Sequence, residues 1–143
     1  MKNIEKIINN CQICKKKLSE LFSLGKHPLC DDLISINSKK KCLKYPSQIF
    51  FCKNCYTALH KTKIKPSTLF PKSYHYRPRF TKDVLDGMKD FVSSIEKFTN
   101  KKKAKILDIG CNDGSLLDIF HKRKHITYGI EPTGAANEAN KKH

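Results

Sequence analysis

The sequence predicts two folds in succession: an α+β, ribbon-like domain built round four cysteines, then the start of an α/β domain with a parallel sheet. Three observations predict it. Two Cys-x-x-Cys units, Cys11 to Cys14 and Cys52 to Cys55, bracket a region of short strand-like runs. Val84, Met88, Phe91, Ile95 and Phe98 then recur at helical spacing, with Val92 beside them. Last, an apolar run from Ala104 to Gly110 leads into a glycine loop, a helix pattern and a second apolar run, the order of a βαβ unit. Composition places the boundaries at residues 1–62, 63–103 and 104–143.

The elements follow in order. Asn3 to Ile8 reads as one or two helical turns, and Glu20 to Leu24, Gln48 to Phe51 and Thr57 to His60 read as short strands. Pro66, Pro71 and Pro78 keep the next stretch extended or turning, because proline fixes its own φ and restricts the residue before it. Thr81 is an N-cap residue type for the helix that follows, with Asp83 in its first turn. Asn100 and three lysines close that helix, whose apolar stripe is expected to pack on the region after it.

Composition narrows the function. Hydrophobic residues make up 38% of the 143, so core-forming material is thin and a second source of stability is expected. Lys and Arg number 29 against 13 Asp and Glu, a formal charge of +16, which raises a nucleic-acid partner. Against it, only Arg77, Arg79 and Arg123 are arginines, the residue that does most bidentate work on phosphates and guanines, and the lysines are scattered. Met1 to Asn10 lacks the apolar stretch of a secretory signal, and no run approaches transmembrane length. A cytoplasmic setting is therefore expected, where paired thiols point to metal more than to disulfides.

Two Cys-x-x-Cys units supply four soft thiolates, and the two intervening residues let both thiolates of a unit turn toward one ion. Cys11, Cys14, Cys52 and Cys55 are thus the expected ligands of a closed structural Zn2+ site. Lys15, Lys16, Lys17 and Lys53 flank the pairs and favour thiolates. A redox role is the alternative, but neither unit has the strand-then-helix setting of a redox pair. Cys30 and Cys42 lack chelating partners and read as small buried or half-buried thiols, while His60 is a fifth possible ligand.

The glycine loop reads Asp108-x-Gly110-x-Asn112-Asp113-Gly114. Its spacing is wrong for the G-x-G-x-x-G turn that cradles a pyrophosphate. Asn112 is the non-glycine type best able to adopt a left-handed backbone, and Ser115 is an N-cap type. Asp108 suits a cationic, amino-acid-bearing cofactor. Glu131 closes the second run, Ile126 to Ile130, where a carboxylate accepts hydrogen bonds from both ribose hydroxyls. The plain alternative is a generic strand-turn-helix.

The order of motifs carries a resemblance. Cys-x-x-Cys, Leu24-Gly25-Lys-His-Pro28-Leu29, Cys-x-x-Cys, Leu69-Phe70-Pro-Lys-Ser-Tyr74-His-Tyr76, Ile106-Leu-Asp-Ile-Gly-Cys-Asn-Asp-Gly-Ser-Leu116 and Ile130-Glu131-Pro132 together resemble the S-adenosylmethionine-dependent sugar C-methyltransferases with an N-terminal zinc-binding domain. The resemblance implies a zinc ribbon-like domain followed by a Rossmann-like methyltransferase domain and a further C-terminal domain. It implies S-adenosyl-L-methionine at Asp108, Gly110, Asn112, Asp113, Gly114 and Glu131. Methyl transfer would go to a carbon beside a ketone on a nucleotide-linked sugar, after a base removes the α-proton. Tyr76 is carried over as a catalytic candidate, although packing explains Tyr74 and Tyr76 equally well.

Two departures stand out. Arg77-Pro-Arg79-Phe80 occupies a stretch that tends to hold serines in the family, and these arginines could hold a substrate phosphate. The chain also stops after the second Rossmann strand, so it reads as an N-terminal fragment without its general base, inactive alone and poorly ordered after about residue 100. Two other functions are in play. One is a basic zinc-ribbon module that binds nucleic acid or a protein, with Phe50, Phe51 and Tyr56 as its aromatic face. The other is a non-catalytic interaction protein that retains a methyltransferase start.

Overall fold

A computed structural model describes residues 4–30 and 33–141. The chain divides into two compact units, Met1–Leu69 and Phe70–His143.

The first unit is antiparallel. Strand β1 (Ile4–Ile7) pairs with β5 (Thr62–Ile64), and β2 (Ser19–His27), β3 (Tyr45–Cys52) and β4 (Thr57–His60) form a sheet in the order β2-β3-β4. A short helix, α1 (Pro66–Leu69), ends the unit. The three runs predicted as strands are strands, and β2 and β3 extend beyond the predicted ends. Gly25, at φ 83, lies in the irregularity between Ser23 and Lys26 that carries β2 onward to His27.

The N-terminal run is not helical. Ile4 to Ile7 is a strand, and the Ile8 amide donates to the Lys61 carbonyl at 2.8 Å; Asn3 lies outside the described residues. A lone helical turn has too few hydrogen bonds to offset its nucleation cost, whereas the β5 edge offers ready partners to an isoleucine-rich segment. Pro66 and Pro78 open helical turns, the turning form of the path expected for this stretch, since the fixed φ of proline suits a first helical position.

The core of this unit is small. Ile8, Cys11, Leu18, Phe50 and Cys52 are buried together, with Cys14, Cys55 and Leu59 packed against them. Cysteine side chains therefore form much of the interior of the domain.

The second unit starts with a 3-10 turn (Pro78–Phe80) and α2 (Lys82–Thr99), followed by β6 (Lys105–Ile109), α3 (Ser115–Lys122), β7 (Ile126–Ile130) and α4 (Ala136–Ala139). Strands β6 and β7 pair in parallel, Lys105 opposite Ile126 through Ile109 opposite Ile130. Asn100 takes a left-handed conformation at φ 51 and ends α2, its amide bonded to Glu96 O.

Helix α2 packs on α3, though not along the whole predicted stripe. Val92 is fully buried while Phe98 is 92% exposed. The inward line runs through Val84, Met88 and Val92, four residues apart, which turns Phe91 and Phe98 outward. Thr81 is the N-cap residue, but its hydroxyl makes no capping bond. A polar cluster secures the other end of α2: Glu96 accepts from Arg123 Nη1 at 2.5 Å and pairs with His125 Nε2 at 2.9 Å. Among the described residues no helix is long and apolar enough to cross a membrane.

Candidate metal centre and glycine-loop site

The metal centre is built from two turns. After each Cys-x-x-Cys unit the next residue has positive φ, Lys15 at 63 and Tyr56 at 55. That reversal turns the chain back after each pair, and in the first unit backbone N–H groups face sulfur. The amides of Cys14 and Ile13 approach the Cys11 sulfur, and the amide of Lys16 approaches that of Cys14. Strands β3 and β4 bring the second unit to the first, with Cys52 ending β3 opposite Thr57.

Cys11 Sγ lies 3.5 Å from Cys55 Sγ, and Cys14 Sγ lies 3.4 Å from Cys52 Sγ. All four sulfurs fall within 4.8 Å of one another. A tetrahedral ion with bonds of about 2.3 Å requires sulfurs about 3.8 Å apart, inside that range. The donor set is four soft thiolates with no position open to substrate, which fits structural zinc.

The electrostatics agree. The Lys16 amide, aided by the neighbouring thiols, holds Cys14 down at about 6 against the pull of burial. The Cys14 and Ile13 amides lower Cys11 as well. The Thr57 hydroxyl works to lower Cys55, but burial and the three other sulfurs push it up to about 11. Four thiolates cannot crowd together without a cation, and Zn2+ supplies it. His60 is not in the cluster. Cys30 is exposed and Cys42 half-buried, so Cys30 is more open than its sequence reading.

The glycine loop lies at the C-terminal ends of β6 and β7. Gly110, Asn112 and Gly114 all have positive φ, at 89, 50 and 79, so the backbone reverses three times in five residues. Asparagine tolerates this conformation best among non-glycine residues. The loop is stitched to the second strand: Gly110 N and Cys111 N donate to Ile130 O at 2.7 and 3.2 Å, and Asn112 N donates to Glu131 Oε2 at 3.0 Å. Thr133 N donates to Glu131 Oε1 at 2.7 Å.

The loop also starts α3. Gly114, not Ser115, is its N-cap residue, and Asp113 before it braces the first turn: its Oδ1 accepts from Ser115 N at 3.1 Å and from Ser115 Oγ at 2.6 Å. Ser115 is already the first helical residue, so its hydroxyl serves as a donor to Asp113. Two oxygens are left buried without a hydrogen-bond donor, Asn112 Oδ1 and Asp113 Oδ2. Asp108 and Glu131 complete an acidic surround. Burial first, then the charge of Glu131, raise the Asp108 carboxyl. Burial also works to raise Glu131, but the bonds from Thr133 and the Asn112 amide outweigh it and hold that carboxyl below its usual range.

The predicted loop residues thus converge, whereas Tyr76 stands apart in kind: its ring is 42% exposed. Arg77 is committed within the protein. Its Nε donates to Glu138 at 2.8 Å, and its Nη1 donates to the carbonyls of Tyr74 and Tyr76 at 2.7 and 2.8 Å. Sequence reasoning missed Thr133, Glu138 and Gly129. A Cβ on Gly129 would sit 2.5 Å from Cys111 Sγ and 3.0 Å from Leu117 Cδ1, so its bare backbone lets the loop and α3 close on β7. Thr133 before a short alanine-rich run was a readable helix-start signal; the other two carried none.

No curated protein matches the chain. Residues 11–70 match the family model Methyltransf_13, described as "Putative zinc binding domain". The span takes in all four clustered cysteines and ends one residue past the first unit. The first part of this chain is therefore similar to a zinc-binding domain of the kind associated with methyltransferases, and its four clustered cysteines are placed to hold the ion.

Proposed function

We propose that this chain supplies the zinc-binding and cofactor-gripping parts of an S-adenosylmethionine-dependent C-methyltransferase whose acceptor is a nucleotide-linked sugar or a similar ketone. The observation that carries the reading is the loop after β6. Its backbone reverses at Gly110, Asn112 and Gly114, and it leaves Asn112 Oδ1 and Asp113 Oδ2 buried without a hydrogen bond, the latter facing only Arg79 Nε at 3.9 Å, beside the carboxylates of Asp108 and Glu131. Three carboxylates and an amide oxygen in that density fit a ligand that brings ammonium and hydroxyl donors. S-adenosylmethionine has both, and when bound it supplies an activated methyl group on a sulfonium.

Within this reading Gly110 and Gly114 allow close backbone approach. Glu131 keeps a second lone pair on each oxygen for the ribose hydroxyls, while its present bonds fix its orientation. Asp108 and Asp113 add negative charge for the cationic ligand. Tyr76 is the candidate residue on the acceptor side. The zinc domain, in the same reading, stabilises its own fold and takes no part in the chemistry.

The nucleic-acid alternative has less support, because Phe50 belongs to the core and the first unit holds no arginine to pair with Tyr56. The test is calorimetry with S-adenosylmethionine on the folded chain. Binding is expected, and Glu131→Ala should weaken it by roughly 1.5–3 kcal/mol, the scale of hydrogen bonds to a charged group. Equal affinity in that variant, or no heat from the folded wild type, would refute the cofactor reading.

A further inference from the structure

Arg77 and Arg79 have the charge of a phosphate clamp, yet both face carboxylates of their own unit. Beyond the bonds of Arg77 described above, Arg79 Nη1 pairs with Glu138 Oε2, and Arg79 Nε faces Asp113 Oδ2 at 3.9 Å. One carboxylate on α4 thus holds both arginines, Arg77 by a hydrogen bond to Oε1 and Arg79 by an ion pair with Oε2. Helix α4 is in turn tied to the strand end, since Ala135 N donates to Thr133 Oγ at 3.3 Å and Thr133 N to Glu131.

These contacts close a ring. From Asp113 it passes through Arg79 to Glu138, along α4 to Thr133, on to Glu131, and back to Asn112, the neighbour of Asp113. Arg77 hangs the carbonyls of Tyr74 and Tyr76 on the same carboxylate. The backbone supports the attachment: Gly134 N donates to Lys72 O at 3.0 Å, and Lys72 Nζ donates to Pro132 O at 2.8 Å. A Cβ at Gly134 would lie 2.5 Å from Lys72 O, so the two segments touch at backbone distance.

We propose that Glu138 is a positioning residue that holds Arg77 and Arg79 together, and so sets the Tyr74–Tyr76 turn and the glycine loop in one register. The role rests on the cofactor reading of that loop. Its consequence is coupling: filling the loop is felt at Tyr76, and loosening Glu138 is felt at Gly110 to Gly114. Glutamine at this position keeps the shape and one acceptor oxygen but removes the charge and replaces the other acceptor with an NH2 donor that faces an arginine.

The experiment compares wild type with Glu138→Gln in the full chain. Amide signals of residues 110–114 and ring signals of labelled tyrosine are followed by NMR with and without S-adenosylmethionine, alongside calorimetry and zinc content. Glu138→Gln is expected to keep its zinc and its thermal transition, move the amides of 110–114 and the Tyr76 ring together, and weaken S-adenosylmethionine about tenfold, a usual scale for coupling within a network. The Tyr76 response to ligand should disappear even at saturation, which a general loss of stability would not produce. Should Glu138→Gln fail to fold, Arg79→Gln, at the more exposed arginine, opens the same ring and carries the same expected shifts. Unchanged loop and Tyr76 signals in the folded variant overturn the positioning role, whatever the wild type binds. Loop and Tyr76 shifts without any wild-type binding support the tether and count against the cofactor reading alone.

Discussion

Single side chains decide most at the two places where the backbone is reversed or crowded. Cysteine spacing encodes the metal centre, a left-handed residue follows each pair, and backbone amides face the sulfurs of the first. Elemental analysis should find about one zinc per chain, and Cys11→Ser and Cys52→Ser should each lose it, because three thiolates no longer close a tetrahedron. Full zinc retention in both would remove the assignment. Gly129 is the second case. Gly129→Ala should cost about 1–3 kcal/mol, the usual range for overpacking, because the new methyl meets Cys111 and Leu117. Adding Cys111→Ala should restore part of that loss, since it removes the nearest clashing atom; additive costs in a double-mutant cycle would show that the contact is not the cause.

At the scale of elements, polar clusters join helices and strands that have little apolar surface to share. Glu96 on α2 meets Arg123 and His125, and His125 Nδ1 accepts from the Ala104 amide at 3.1 Å at the entry to β6. The bonds from His125 first, then Arg123, hold the Glu96 carboxyl below its usual 4.5. A folded-state value below the unfolded one gives stability that is fully present above about 4.5 and is lost as pH falls through the folded value. Thermal melts between pH 6 and pH 3, values chosen to span that window, should therefore fall toward the acid end. Glu96→Gln should flatten that fall and lower the melting temperature at neutral pH; an unchanged acid limb would mean that the pair contributes nothing. The motif reading found α2 and α3 but not this junction, because its members lie 27 and 29 residues apart in sequence.

For the molecule as a whole, the two units differ in what holds them. The first buries few apolar side chains besides its cysteines, so its stability should follow the metal. Chelation should erase hydrogen-exchange protection across β2, β3 and β4; retained protection after zinc removal would show an apolar core sufficient by itself. The second unit exposes one face of its parallel pair, where Leu107, Ile109, Ile126, Tyr128 and Ile130 are each more than half exposed. Contiguous apolar surface of this kind binds hydrophobic dyes and promotes association. The chain should therefore enhance the fluorescence of such a dye, and Ile109→Lys, on the most open position, should reduce the signal without changing zinc content. A wild type that leaves the dye dark would mean the face is covered in solution.

What the sequence by itself determined is what depends on short range. The four metal ligands follow from chelating spacing, the loop conformation from glycine and asparagine, and the strands beside the second cysteine pair from local alternation. That Ile4 to Ile7 is a strand, the bracing of the first turn of α3, the need for glycine at 129 and the work of Arg77 and Arg79 were decided only in the tertiary structure. Each depends on a partner supplied by another segment: β5 for Ile4 to Ile7, Cys111 and Leu117 for Gly129, Glu138 for the two arginines. Asp113 is the instructive exception. It lies only two residues from the amide it braces, yet reads as a ligand-binding acid, because sequence does not reveal which oxygen of a buried carboxylate is already used. Burial settles that, and burial is a property of the assembled fold.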